Sequence, residues 1–378
     1  MSALVLPTAA LDPFGRQVVV PNLADYDLII VNSSAGKDSE AMLAWLVELC
    51  DAQGVPRDRL VVIYADLGRV VHPGTRELAW AQARHFGLRF VVVSRRGDLL
   101  AQIAARSQRL REQGKGDQTP WPSNNARYCT SDQKTAQVVK YMTRAVDERR
   151  TAGHNGPVRI LNCLGIRAEE SPARAKKAAF SHDPANWSKP PVAARPARPA
   201  RPAVGTRPAR PATPAVAAQP GVQHSKRVVH RWLPIFGWST PQVWEQIRRH
   251  GLPWHPAYQR LPRLSCVFCV LAGRRELTVA AQMYPELAAE YAALEQQVGH
   301  PFKESVSMAQ IIAAAEADDA DDLALFELPT GPAADSGAGG AITWEPSGPL
   351  PVPGGDPDRS GLPGCRQDAL FDASGVPR

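Results

Sequence analysis

No run of eighteen apolar residues occurs in this 378-residue chain, so no segment reads as a membrane-spanning helix, which needs about twenty. Met1 to Pro7 carry no cationic stretch, and their apolar run is too short for a secretory leader. A cytoplasmic protein without a membrane partner is the expectation. Cysteine is sparse, six in all, and only Cys266 and Cys269 stand close together. A disulfide framework is therefore excluded, which leaves thiol or metal chemistry. Acidic residues are missing from Lys189 to Arg227, a stretch with eight Lys or Arg. Removing those eight from the net +7 leaves −1, so a basic face on the folded part is not implied. The stretch repeats Arg-Pro-Ala and has almost no aliphatic bulk beyond Ala and Val. It is predicted to be an extended, polyproline-like, disordered insertion over residues 183–227.

Regular structure is signalled on either side. Leu28-Ile29-Ile30-Val31, Leu60 to Ala65, Phe90 to Val93 and Val158 to Leu164 are short apolar runs of buried-strand type. Between them lie helical patterns through Met42 to Leu49, Leu78 to Phe86, about 97–112 and Ser131 to Arg149. Alternation of this kind predicts an α/β fold, a doubly wound and mostly parallel sheet of Rossmann type. Residues 1–24 read as an irregular lead-in and 25–182 as a nucleotide-binding domain. Residues 228–317 complete that domain with a small helical lobe, with helices near 240–247, 273–298 and 307–317. The acidic, then Gly/Pro/Ser-rich segment 318–378 is predicted to be a disordered tail.

The first strand runs into Ser34-Ala35-Gly36-Lys37-Asp38-Ser39 and then a helix. Gly36 allows backbone amides to approach an oxyanion, and the helix start adds unpaired donors and a positive dipole end. Ser34 and Ser39 supply hydroxyls, and Lys37 supplies a cation. The competing reading is an ordinary capped turn, for which Ser, Gly and Asp are common. The Walker A spacing is absent. The segment resembles the SGGxDS signature of the PP-loop, or adenine-nucleotide α-hydrolase, superfamily, with Ala35 where the signature has Gly.

Three further segments resemble the phosphoadenosine phosphosulfate (PAPS) reductase branch, in order. Tyr64-Ala65-Asp66-Leu67-Gly68 is similar to its Asp-Thr-Gly strand end, where Asp66 would face the nucleoside or a metal. A helix-capping or turn carboxylate is the competing reading for Asp66. Arg127-Tyr128-Cys129-Thr130-Ser131-Asp132-Gln133-Lys134 is similar to its Cys-x4-Lys helix start. There a helix N-terminus would favour the Cys129 thiolate, and Lys134 would reach the nucleotide. Gly165 to Arg174 resembles Gly-x-Arg-x-x-(Glu/Gln)-Ser-x-x-Arg, in which Arg167 and Arg174 would clamp phosphate oxygens. A solvated charged loop is the alternative.

Cys129, Cys266 and Cys269 match three positions of the iron–sulfur members, the adenylylsulfate (APS) reductases and the DNA-phosphorothioation sulfurtransferases. A 4Fe–4S cluster normally takes four thiolates, so an open iron, zinc completed by His255, and no metal at all stay open. Cys163 and Cys50 read as core. The Glu-Cys-Gly-(Ile/Leu)-His segment of thioredoxin-dependent reductases is absent, and Cys365 has neither flank. The resemblance implies an enzyme that binds ATP or a PAPS-type adenine nucleotide with Mg2+ and acts at the α-phosphate. Lys37, Asp38, Cys129 and Arg167 would be its catalytic set. A cysteine desulfurase as sulfur donor, thioredoxin and a nucleic acid are the partners it suggests. Sulfonucleotide reduction and a non-catalytic binding module are the alternatives. Trp238, Trp244, Trp254 and His255 form an aromatic-rich segment before Tyr258, read as lobe packing or base stacking.

Overall fold

The computed structural model of the chain describes residues 8–200, 202 and 211–317. The lead-in, expected to be irregular, holds a hairpin of β1 (Thr8–Leu11) and β2 (Gln17–Val20). Its turn carries the reason: Asp12 accepts the amides of Phe14 and Arg16 at 2.9 Å each, and Gly15 takes φ +74°. Next come β3 (Leu28–Ser33), α1 (Lys37–Ala52), β4 (Leu60–Asp66), α2 (Thr75–His85) and β5 (Arg89–Ser94). α3 (Leu99–Glu112) precedes a loop, and α4 (Tyr128–Thr130) passes through a π turn, Ser131–Thr135, into α5 (Ala136–Thr151). β6 (Val158–Leu164), α6 (Pro172–Ala175) and β7 (Phe180–His182) follow.

Beyond them lie β8 (Trp187–Lys189), β9 (Val222–Gln223), β10 (Arg227–Trp232) and α7 (Thr240–Arg249). α8 (Arg274–Met283), α9 (Pro285–Val298) and α10 (Met308–Ala317) end the described residues. The pattern near 273–298 predicts one helix, but Pro285 has no amide to continue the ladder and opens α9 afresh.

Among the described residues, six strands form one sheet in the order β5-β4-β3-β6-β10-β7, parallel except for β7. The predicted doubly wound α/β architecture is what forms. Strand alternation divides the core: Ile29 and Val31 pack with Trp45, Leu46, Trp232 and Ile247 on one face. Leu28 and Ile30 pack with Tyr141, Met142 and Val229 on the other. A third apolar cluster joins α3 to α8, α9 and α10 around Trp121, Phe268, Tyr291 and Phe302. The described residues belong to one compact unit, Met1–Ile342; the tail beyond 317, including Cys365, lies outside them. Among the described residues no helix is long and apolar enough to cross a membrane.

Within the segment 183–227, expected to be disordered, the described residues are paired, and residues 201 and 203–210 lie outside them. Asp183 and Asn186 are buried in the domain, and Arg227 already belongs to β10. β8 pairs antiparallel with β9, and the pairing continues through Val192–Gln219, Arg195–Val216 and Arg198–Thr213. The bonds fall on every third residue, the repeat of a polyproline II strand, and Pro196 and Pro214, which have no amide, lie between two of the bonded pairs.

Candidate functional site

β3 is followed outward by β4 and β5, whereas β6 pairs on its other side. The strand order therefore reverses between β3 and β6, and the loops leaving their C-terminal ends open a crevice there. Ser34 to Lys37 leave β3, and Gly165 to Arg167 leave β6.

The first loop is held from within. Ser39 Oγ accepts the Ser34 amide at 3.2 Å and donates to the Gly36 carbonyl at 2.8 Å, while Ser33 Oγ accepts the Ala35 amide at 3.1 Å. Ala35 adopts φ +58°, the left-handed region, alone among the described non-glycine residues. That accounts for glycine at this place in the SGGxDS pattern, and the Ala35 methyl is fully buried beside Tyr64, Leu78 and Ala79. Gly36 forms the N-cap of α1, where a Cβ would stand 3.2 Å from the Tyr258 hydroxyl. Among the described residues the amides of Gly36 and Asp38 meet no acceptor, as expected at a helix start.

The second loop locks onto the first. A Cβ on Gly165 would come within 2.9 Å of the Asp38 carbonyl oxygen, so only glycine allows this approach. Arg167, 3% exposed, donates from Nε to Asp38 Oδ1 at 2.5 Å. It also donates to the Trp238 carbonyl at 3.1 Å, to Thr240 Oγ1 at 3.1 Å and to Glu169 at 3.2 Å. Lys37, also nearly buried, binds Asp38 Oδ2 at 3.2 Å and lies over the Tyr258 ring at 5.6 Å. Asp38 is thus clasped between two cations, and its two oxygens are both engaged. Arg174 pairs with Glu170, whose carboxylate also accepts the Arg167 amide at 3.0 Å. The Gly-x-Arg-x-x-Glu-Ser-x-x-Arg run therefore forms an internally bonded turn.

Sequence reasoning missed the role of Tyr258. Its hydroxyl accepts the Lys37 amide at 2.7 Å, occupying a donor of the loop, and burial, the largest cause, together with Asp38 pushes its phenol up. The two residues lie 221 positions apart, so no local pattern links them. Glu40, one turn into α1, is buried as well. Burial pushes its carboxyl well above the usual range, with Gln82 offsetting a part. Among the described residues neither Glu40 oxygen completes a hydrogen bond.

Asp66, at the end of β4, closes a turn by accepting the Gly68 amide at 2.8 Å. The aromatic segment packs: Trp238 on Trp45 and Phe14, and Trp244 edge-on to Trp254 and Tyr258. A surface cleft lined by Asp27, Arg59, Arg149 and His154 lies at the opposite end of the strands.

Cys129, Cys266 and Cys269 pack against one apolar cluster with Lys134 nearby. Their surroundings differ from what the helix start alone would give. Burial outweighs Thr130, Arg127 and Lys134 and pushes the Cys129 thiol up, where its helix start was expected to favour thiolate. Burial likewise raises Cys266 to about 11, against the pull of Lys134. Among the described residues no three His, Cys, Asp or Glu side chains stand in an arrangement that would hold a single metal ion, although Cys129, Cys266 and Cys269 are near enough to act on one another's charge. His255, the candidate fourth zinc ligand, is engaged elsewhere. Its Nδ1 accepts the Ala257 amide at 3.1 Å and its Nε2 meets the Pro73 carbonyl at 2.9 Å, which occupies both ring nitrogens. Cys50 and Cys163 are buried in the core, as predicted.

The family model for the phosphoadenosine phosphosulfate reductase domain matches residues 28–272, from the start of β3 to beyond the Cys266–Cys269 pair. The chain belongs to this family. It is accordingly a member of the PP-loop superfamily. An uncharacterized 37.8 kDa protein in the gpa 5' region of Escherichia phage 186 is 25% identical over 179 residues, 47% of this chain. The match spans 40% of that relative's length. The crystal structure of phosphoadenylyl-sulfate reductase from Candida auris, a phosphate complex, aligns at 12% identity with a TM-score of 0.30. That alignment covers 61% of this chain and 77% of the other. The PAPS reductase domain spans both crevice loops and both cysteine segments.

Proposed function

We propose that this PAPS reductase family protein binds ATP or a related adenine nucleotide in the crevice between β3 and β6, and that it acts at the α-phosphate with pyrophosphate leaving. One observation carries the reading: the junction of Asp38 with Lys37 and Arg167 sits at an α1 start whose Gly36 and Asp38 amides meet no acceptor among the described residues. Entering phosphate oxygens would take up those amides and the Ser34 and Ser39 hydroxyls, and would draw the Lys37 and Arg167 cations partly from Asp38. The Lys37 amide becomes available once phosphate displaces the Tyr258 hydroxyl. Charge growing on the leaving oxygens is stabilised by donors already in place, the main catalytic contribution expected of such a site. Magnesium, which neutralises charge on the leaving pyrophosphate, would be held chiefly by the phosphates, since both Asp38 oxygens are engaged. Asp66, at the end of β4, would face the nucleoside, and Arg174, in α6, would meet outer phosphate charge. Acceptor transfer, sulfur donation by a desulfurase and a nucleic-acid acceptor extend the reading, with no step assigned to a cluster.

Reduction of PAPS or APS is the second reading, favoured by the match to the reductase domain. The two separate by product. Incubation with ATP and with PAPS, with and without thioredoxin, is expected to release pyrophosphate from ATP. Sulfite release from PAPS with thioredoxin would replace the first reading by the second. Tight binding with no turnover of either would leave a non-catalytic module.

A further inference from the structure

The two-stranded arm between β8 and β9 has no role in the crevice. Its base joins the domain at Asn186, whose carbonyl accepts the His224 amide at 2.8 Å, and at the N-terminal end of β10. The crevice lies at the C-terminal ends of the parallel strands, so the arm leaves from the opposite end of the sheet. Lys189, Arg195 and Arg198 are exposed on its outgoing strand, and among the described residues none has an acidic partner. The rise of a polyproline II strand sets Arg195 and Arg198 about 9 Å apart.

We infer that this arm is a docking element for duplex nucleic acid, reading the phosphate backbone without regard to sequence. Composition separates that partner from its competitors. From Pro190 to Val222 there is no Asp or Glu, so the cationic row faces no internal competition. The same stretch has no Leu, Ile, Met, Phe, Tyr or Trp. A membrane-surface element needs an apolar face to bury, and a single-strand binder needs aromatic rings on which bases stack. A regular row of cations with neither is suited to a duplex, where phosphates follow one another at fixed spacing and counterion release supplies the affinity. The prolines and the cross-arm bonds restrain the strand before it binds, which lowers the ordering cost. The inference stands apart from the nucleotide reading, because the arm and the crevice occupy opposite ends of the sheet.

The test measures binding of the full chain to a short mixed-sequence DNA duplex across salt concentrations, with no nucleotide present. Replacing Lys189, Arg195 and Arg198 together by Ala is expected to lower the slope of log affinity against log salt by about 2.7, roughly 0.9 for each phosphate that is no longer neutralised. The charge-preserving pair Arg195→Lys and Arg198→Lys should keep the parent slope. Unchanged thermal melting and ATP affinity in the triple variant would show that the domain is intact. Three outcomes overturn the inference: a parent that does not bind the duplex, a triple variant with the parent's slope, or tighter binding to a single strand, polyglutamate or anionic vesicles than to the duplex.

Discussion

Gly165 is the residue on which the junction of the two loops turns. Its missing Cβ lets β6 end against the Asp38 backbone, and backbone cannot swing aside as a side-chain tip can. Gly165→Ala is expected to cost about 1–3 kcal/mol, the range of overpacking, and to weaken nucleotide binding more than this loss of stability alone would. Chemical denaturation and titration with ATP check the two parts. Glu40 makes the opposite kind of prediction. Its folded carboxyl titrates above its unfolded value, so its contribution to stability is complete below about pH 4.3 and is lost as pH rises toward the folded value. Glu40→Gln should therefore melt at a higher temperature than the parent at pH 7, with the gap closing near pH 4. A constant gap across that range would contradict it. The turn Ser34 to Ser39 itself was legible because its residues are contiguous. Tyr258 and the buried environment of Cys129 were not, since each is created by contacts distant in sequence.

At the scale of elements, the loops are tied by Arg167, whose fork spans α1, the loop before α7 and Thr240. Arg167→Ala leaves the half-buried Asp38 with Lys37 alone and is expected to destabilise by about 3–5 kcal/mol, as when one partner of a buried pair is removed. Arg167→Lys should recover part of that loss but not nucleotide affinity, because an ammonium cannot match the planar fork. Comparing the two variants by denaturation and by ATP titration separates charge from geometry. The turn before α2 carries a second dependence. Burial, and His255 after it, lower His72 to about 3, while its Nδ1 meets the Tyr284 hydroxyl at 3.1 Å. A lowered histidine contributes stability above its unfolded value, about 6.5, and that contribution is lost as pH falls toward 3. His72→Asn should flatten the acid limb of the stability profile between those values. Strand and helix positions here were readable from apolar runs and periodicity. The π turn before α5, the break at Pro285 and the pairing of the proline-rich strands were not, because each depends on which amides find acceptors.

Across the whole molecule, one sheet separates two chemistries. The C-terminal ends of the parallel strands gather Lys37, Asp38 and Arg167, whereas the cationic arm leaves from the other end. The overall +7 charge therefore describes the arm and not the crevice, as the count of cations between Lys189 and Arg227 indicated. The central claim concerns the crevice, and equilibrium binding of ATP and PAPS tests it most directly. The parent is compared with the double variant Asp38→Asn, Ser39→Ala, which keeps a hydrogen-bonding side chain beside Arg167 so that the fold survives. The account predicts that the parent binds at least one of the two nucleotides and that the variant, still folded by circular dichroism, binds it at least tenfold more weakly, about 1.4 kcal/mol. Equal affinity in parent and variant, or a parent indifferent to both nucleotides, would contradict it.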